Sequence, residues 1–240
     1  MAGEIIVGVN AVREALQAPD RINRILVAKE SRAAACKALV ETAKAHKVVV
    51  DFVPQAKLNT LTGTQEHQGI MAQISPLEYT PLEDLIGRCS PEATLLVLDR
   101  VQHPKNLGMI IRTAVGAGVA GIVLVSRGGA LLDEAVVRAS AGTVLRIPIA
   151  LSTNLTQAIR RLRDADFWIY GLDAGGTCDA FKMNWPPRVV LVAGNESEGM
   201  RPGVRKCCDE IVSISLANQL DSLNVAVATG IVLFQVRRGD

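Results

Sequence analysis

The residues best placed to do chemistry lie in two stretches near the end of the chain. Gly194-Asn195-Glu196-Ser197-Glu198-Gly199 follows an apolar run at 189–193, and Ser222-Leu223-Asn224 follows a second, shorter run at 210–214. A short apolar run bounded by glycine reads as a buried strand. Gly194 and Gly199 lack a Cβ, so the loop they bound can bring its backbone close to a ligand. Asp221 or Ser222 can cap the helix that follows. Two strand ends and a capped helix make a pocket lined mostly by backbone. Such a pocket suits a flat nucleoside better than a metal or a long apolar ligand. The carboxylates of Glu196 and Glu198 can hold that ligand, pair with Arg112, or face water.

Upstream, Asn106-Leu107-Gly108-Met109-Ile110-Ile111-Arg112 opens a helical pattern. At about 100° per residue, Asn106 and Arg112 do not share a face, yet both can reach the same helix end and groove. Alone, the pair reads as a helix N-cap and an ordinary surface arginine. His46, His67 and His103 are far apart with no ligand spacing, which argues against a metal site. Gly116-Ala117-Gly118-Val119-Ala120-Gly121 matches the dinucleotide fingerprint letter for letter. That fingerprint needs a strand before it and a helix after it, and here the order is reversed. Its glycines end a helix and turn into a strand.

In this order and at this spacing, the three stretches resemble the three motifs of the SpoU (TrmH-type) RNA ribose 2′-O-methyltransferases of the SPOUT superfamily. The resemblance implies a catalytic set of Asn106, Arg112, Glu196, Ser222 and Asn224. Asn106 and Arg112 would act on the acceptor nucleotide, and Ser222 and Asn224 would supply the third motif's polar pair. It implies S-adenosylmethionine as cofactor, held at Gly194, Asn195, Gly199, Ile214 and Leu223, with Leu191 joining Ile214 and Leu223 around the adenine, and no metal. The implied reaction is methyl transfer to a ribose 2′-hydroxyl, most akin to the large-subunit rRNA guanosine type. A guanidinium, with a pKa above about 12, scarcely deprotonates. Arg112 is therefore expected to grip phosphate and stabilise the alkoxide rather than act as the base. Ser197 stands where relatives commonly have glycine, and Ser215 where proline is frequent. The resemblance also implies a C-terminal trefoil knot and a homodimer. A tRNA ribose methyltransferase is the alternative within the class, and a non-catalytic RNA-binding or assembly protein the alternative outside it.

The elements that must position these residues fall into two parts. Residues 1–75 alternate strands and helices: helix at 8–16, strand 24–28, a helix capped by Ser31, strand 48–53, helix 57–61 and strand 69–74. This is the pattern of a small α/β domain, and it resembles the ribosomal-protein-like RNA-binding domain of large-subunit rRNA members of the family. Residues 76–92 hold Pro76, Pro81 and Pro91 and read as an acidic linker with one helical turn at 82–86. Residues 93–240 alternate strands at 94–98, 121–125, 146–149 and 167–172 with helices at 106–116, 133–141 and 154–163. This predicts a parallel sheet covered on both faces.

Hydrophobic residues make up 49% of the 240 and aromatics only 3%, so the core is aliphatic and no stacking platform for single-stranded bases is evident. The net charge of +2 divides into +2 over 1–75, −3 over 76–92 and +3 over 93–240. An RNA site must then be a local patch rather than a global field. Five cysteines with no Cys-x-x-Cys point to reduced thiols and a cytoplasmic protein. No stretch approaches the roughly 20 apolar residues of a membrane span.

Overall fold

A computed structural model describes residues 4–31, 33–218 and 220–237. In chain order the elements are β1 (Glu4–Val7), α1 (Val9–Ala15), β2 (Ile22–Ala28), α2 (Ala34–Ala45), β3 (Val50–Val53), α3 (Gln55–Thr62), β4 (Ile70–Ile74), α4 (Leu82–Gly87), β5 (Ala93–Leu98) and α5 (Pro104–Gly116). There follow β6 (Gly121–Val125), α6 (Glu134–Ala139), β7 (Ile149–Ser152), α7 (Leu155–Asp164), β8 (Trp168–Leu172), β9 (Cys178–Asp179), β10 (Arg188–Ala193), α8 (Pro202–Arg205), β11 (Glu210–Ser213) and α9 (Val225–Arg237). The chain divides into two compact units. One takes residues up to Leu77 together with Leu132–Arg146, and the other takes Glu78–Leu131 and the rest from Ile147.

The first unit is a four-stranded sheet in the order β1-β4-β2-β3, with β4 antiparallel to both neighbours and β2 parallel to β3. Alternation along β2 sends Leu26 and Ala28 to one face, where they join Val53, Leu58 and Met71. Ile25 and Val27 are as deeply buried on the other face. The buried His67 has its Nδ1 2.9 Å from the donating Gly69 N–H and its Nε2 2.6 Å from Asn59 Oδ1. Those contacts place its proton on Nε2 and make it a structural histidine. The segment Leu132–Arg146 belongs here, although its place in the sequence suggests the second unit. Arg146 Nη1 donates to Glu14 Oε2 at 2.6 Å, and a Cβ at Gly142 would lie 2.9 Å from the Ala11 carbonyl oxygen.

The second unit is a parallel seven-stranded sheet, ordered β7-β6-β5-β10-β8-β11-β9. The strands read as continuous apolar runs because both faces are covered. Leu95, Val97, Val190 and Val192 pack with Ile159 and Leu162 of α7. From β5 the chain builds outward through β6 and β7. It then crosses back to place β8, β10 and β11 on the other side of β5. The order therefore reverses between β5 and β10, and open α/β sheets bind ligands outside the carboxyl ends of the strands at such a point. Helix α5 buries Leu107, Ile110, Ile111 and Ala114 on one stripe. It packs closely on α9, where a Cβ at Gly230 would come within 3.0 Å of Thr113 Cγ2.

Several local expectations need correcting. Helix α2 starts at Ala34 with Ala33 as N-cap, so Ser31 does not cap it. Residues 143–146 form a 3-10 turn, and the strand expected at 146–149 lies at Ile149–Ser152 instead. Helix α9 begins at Val225, and its cap is Asn224, whose Oδ1 accepts from the N–H groups of Ala226 (2.9 Å) and Val227 (3.4 Å). Neither Asp221 nor Ser222 plays that part. Asn106 is likewise not the N-cap of α5. His103 holds that position, Pro104 opens the first turn where its missing N–H is harmless, and Asn106 lies within that turn.

Candidate functional site

Three loops leave the carboxyl ends of β10, β8 and β11, and with the start of α9 they surround a cavity of about 300 Å³. Its wall includes Gly194, Asn195, Glu196, Gly199, Ile214, Ser222 and Leu223. The loop after β10 closes on itself: Asn195 N–H donates to the Gly199 carbonyl at 2.9 Å and Gly199 N–H donates back at 3.1 Å. A Cβ at Gly194 would stand 2.2 Å from the Gly199 carbonyl carbon. The space that glycine frees at 194 is thus filled by the loop itself and not by a ligand. Gly199 has φ +67°, which glycine adopts without strain, and a Cβ there would lie 3.7 Å from Asp173 Oδ2.

Glu196 is the knot of the arrangement. Its carboxylate accepts from Gln102 N–H at 3.0 and 3.1 Å, from His103 N–H at 3.0 Å and from Asn106 Nδ2 at 3.1 Å. Partial burial alone would raise the pKa of this group. The amide donors at His103, Gln102 and its own backbone, with Asn106, outweigh that and hold it below the ordinary carboxylate value. Asn106 is gripped at both ends, because Asn224 Nδ2 donates to its Oδ1 at 3.1 Å. A chain of side chains therefore runs from the cap of α9, through the first turn of α5, to the loop after β10.

Three further contacts hold the β5 and β10 loops together. Asn195 Nδ2 donates to the Arg100 carbonyl at 2.8 Å, while its Oδ1 accepts from Ser197 and Glu198 N–H. Arg100, held at φ +63°, pairs with Glu198 at 2.7 Å. The fully buried Asp99 accepts from both the backbone N–H and the Nε of Arg201, at 2.8 and 2.7 Å. That two-point pairing is what makes a buried carboxylate tolerable. Asp99, Arg100 and Arg201 escaped sequence reasoning. An acidic residue at a strand end was the only hint, and its partner lies 102 positions away.

The expected residues divide. Asn106, Glu196 and Asn224 form one hydrogen-bonded group, and Ser222 stands in the cavity wall without a hydrogen bond to any described residue. Arg112 is exposed and makes no hydrogen bond or ion pair with a described residue. Leu191 is fully buried in the sheet and does not reach the cavity, and Leu216 joins Ile214 and Leu223 in its apolar wall instead. On the outer side of α5 and α9, Met109, Thr113, Val227 and Phe234 line a groove of about 870 Å³. Met109, Val227 and Phe234 are exposed there despite being apolar.

Comparison with known proteins agrees with this geometry. Residues 93–234 match the SpoU rRNA Methylase family, and residues 5–80 match the family described as RNA 2′-O ribose methyltransferase substrate binding. A Bacillus subtilis protein assigned to the TrmH family of tRNA/rRNA methyltransferases is 32% identical over 238 residues, covering 98% of this chain and 95% of that one. A Synechocystis protein, described as an uncharacterised tRNA/rRNA methyltransferase, is 36% identical over 98% of this chain, which spans 62% of that protein's length. The structure of an rRNA methyltransferase from Sinorhizobium meliloti with AdoMet bound is 31% identical, with a TM-score of 0.78 over 99% of this chain and 87% of that one.

Proposed function

Because the chain belongs to the SpoU rRNA methylase family, we propose that it methylates a ribose 2′-hydroxyl of large-subunit rRNA using S-adenosylmethionine. The observation that carries this reading is the Asn224–Asn106–Glu196 group, built at the switch point of the sheet and beside a nucleoside-sized cavity. The cavity suits the cofactor. Its volume falls at the lower end of the roughly 300–1,000 Å³ usual for small-molecule sites, and its wall sets apolar Ile214, Leu216 and Leu223 against the polar backbone of the β10 loop. Gly194, Asn195, Gly199, Ile214 and Leu223 would hold it. When bound, it supplies an electrophilic methyl group on a cationic sulfur.

The chain's own residues then orient and stabilise. Glu196 is a poor general base, since its lone pairs are engaged by amides and its pKa is depressed. It serves instead to fix the loop before α5 and the rotamer of Asn106. One amide hydrogen of Asn106 goes to Glu196 and one of Asn224 goes to Asn106; the second hydrogen of each can donate to the acceptor nucleotide. Arg112, exposed and unpaired within the described chain, is free to meet an RNA phosphate and the developing alkoxide. The hydroxyl proton leaves to phosphate or water.

The first unit would contribute RNA affinity and no chemistry, in keeping with the substrate-binding family it matches. The exposed apolar groove on α5 and α9 supports a homodimer. Free cysteines throughout support a cytoplasmic setting. The strand crossing that brings α9 back onto α5 is compatible with the trefoil path. The test is to map 2′-O-methyl groups in total RNA from cells with and without the protein. Loss of one methyl in 23S rRNA is expected. Loss from tRNA would move the assignment to the tRNA branch, and no loss anywhere would leave a binding protein.

A further inference from the structure

Three carboxylates face the cavity: Asp173, Glu196 and Glu198. Glu196 is saturated by amide donors, and Glu198 is largely exposed and pairs with Arg100. Asp173 is the less exposed of the two ion-paired carboxylates. It is the first residue after β8, its Oδ1 accepts from Gly175 N–H at 2.9 Å, and its Oδ2 lies 3.0 Å from Arg205 Nη1. Each oxygen therefore keeps lone-pair capacity toward the cavity. Gly199 of the β10 loop lies beside Oδ2, where even a Cβ would come no closer than 3.7 Å.

Strand order fixes what Asp173 faces. Along the sheet the sequence of loops is β5, β10, β8, β11. Asn106 and Glu196 mark the β5–β10 end, to which the proposed function assigns the transfer, and Ile214 marks the β11 end, where the apolar wall begins. A nucleoside cofactor laid along this row, with its reactive carbon toward Asn106 and its base toward Ile214, has its sugar over β8. The group waiting there is a carboxylate, an acceptor-only partner for two adjacent hydroxyl donors. Acidic side chains at strand ends take the ribose hydroxyls in nucleotide-binding sheets for the same reason. We infer that Asp173 binds the ribose diol of the cofactor and sets the demand for a ribonucleoside; this rests on the cofactor reading above.

The experiment is calorimetry on the full chain with S-adenosylhomocysteine and its 2′,3′-dideoxy analogue. The wild-type protein should prefer the diol by roughly 10- to 100-fold, the scale of hydrogen bonds to a charged acceptor. Asp173→Asn should lose that preference, binding S-adenosylhomocysteine weakly and the dideoxy analogue as the wild type does, with an unchanged melting temperature in the absence of ligand. Arg205→Gln, which removes the ion pair but leaves the carboxylate, should keep the preference. An equal loss of both ligands in Asp173→Asn, or a lost preference in Arg205→Gln as well, would overturn the inference. If the wild-type protein binds neither ligand, the cofactor reading itself fails, and this inference fails with it.

Discussion

Replacing Glu196 by glutamine tests whether the residue positions or reacts. The substitution keeps the shape, removes the charge, and turns one acceptor oxygen into an NH2 facing peptide donors. The carboxylate now accepts from Gln102 and His103 N–H and from Asn106 Nδ2. A hydrogen bond to a charged partner contributes roughly 1.5–3 kcal/mol, but these donors are partly solvated and the glutamine keeps one acceptor, so a net loss of about 1–2 kcal/mol is expected. That is about a 5- to 30-fold change in the closed-to-open equilibrium of the loop. The single-turnover methylation rate at saturating RNA should fall by no more than that factor, and melting should drop by about 2–4 °C per kcal/mol lost.

Amide hydrogen exchange at Gln102 and His103 should accelerate in parallel. The folded-state pKa of Glu196 is depressed, so its contribution is fully present above the ordinary value of 4.5 and is lost as pH falls through the lower folded value. Wild-type protection of the two amides, taken relative to their intrinsic exchange rates at each pH, should therefore fall on acidification below that point, and the glutamine variant should lack this fall. A variant that loses activity by thousands while exchange at Gln102 and His103 is unchanged would refute the reasoning, because Glu196 would then act directly on substrate.

Arg112→Ala should leave melting and cofactor affinity unchanged, since the side chain has no partner among the described residues, and should lower the single-turnover rate by about 10²–10³. Arg112→Lys should rescue poorly, because an ammonium cannot reproduce a planar two-pronged grip. Leu223→Arg, in the wall of the cavity, should abolish the calorimetric signal for S-adenosylmethionine in chelator while the apo protein melts normally. Wild-type-like binding would place the cofactor elsewhere. Phe234→Glu, on the exposed apolar face of α9, should yield a folded monomer by sedimentation, and a persistent dimer would move the interface away from α5 and α9.

What the chain declares about itself depends on the range of the interaction. The strands at 94–98, 121–125 and 189–193 are legible because both faces of a parallel sheet demand unbroken apolar runs, and the structure has them within a residue. The two-residue β9 carries no such run, and its pairing with β11 is imposed by the sheet edge. Leu132–Arg146 reads as one more helix in an alternating series. Only contacts such as Arg146 with Glu14, 132 positions away, draw it into the first unit. Loop geometry was legible in residue type but not in purpose. Two glycines announced a close approach, yet at Gly194 the approaching partner is the loop's own backbone.

The start of α9 shows why local rules ran out. Asp221, Ser222 and Asn224 are all competent caps. The side chain that prevails, Asn224, also reaches Asn106 across 118 positions. Its Oδ1 caps the start of the helix and its Nδ2 reaches the first turn of α5, so this local decision is settled by a contact between distant segments. Glu196 repeats the pattern from the other side: a loop carboxylate with several possible duties is committed by donors in a distant segment. Asn106, held between the two, can keep its orientation only while both loops are in place. A substitution at either end should thus be felt at the same amide, and the effects of changing Glu196 and Asn224 together should be less than additive, as for residues acting on one unit.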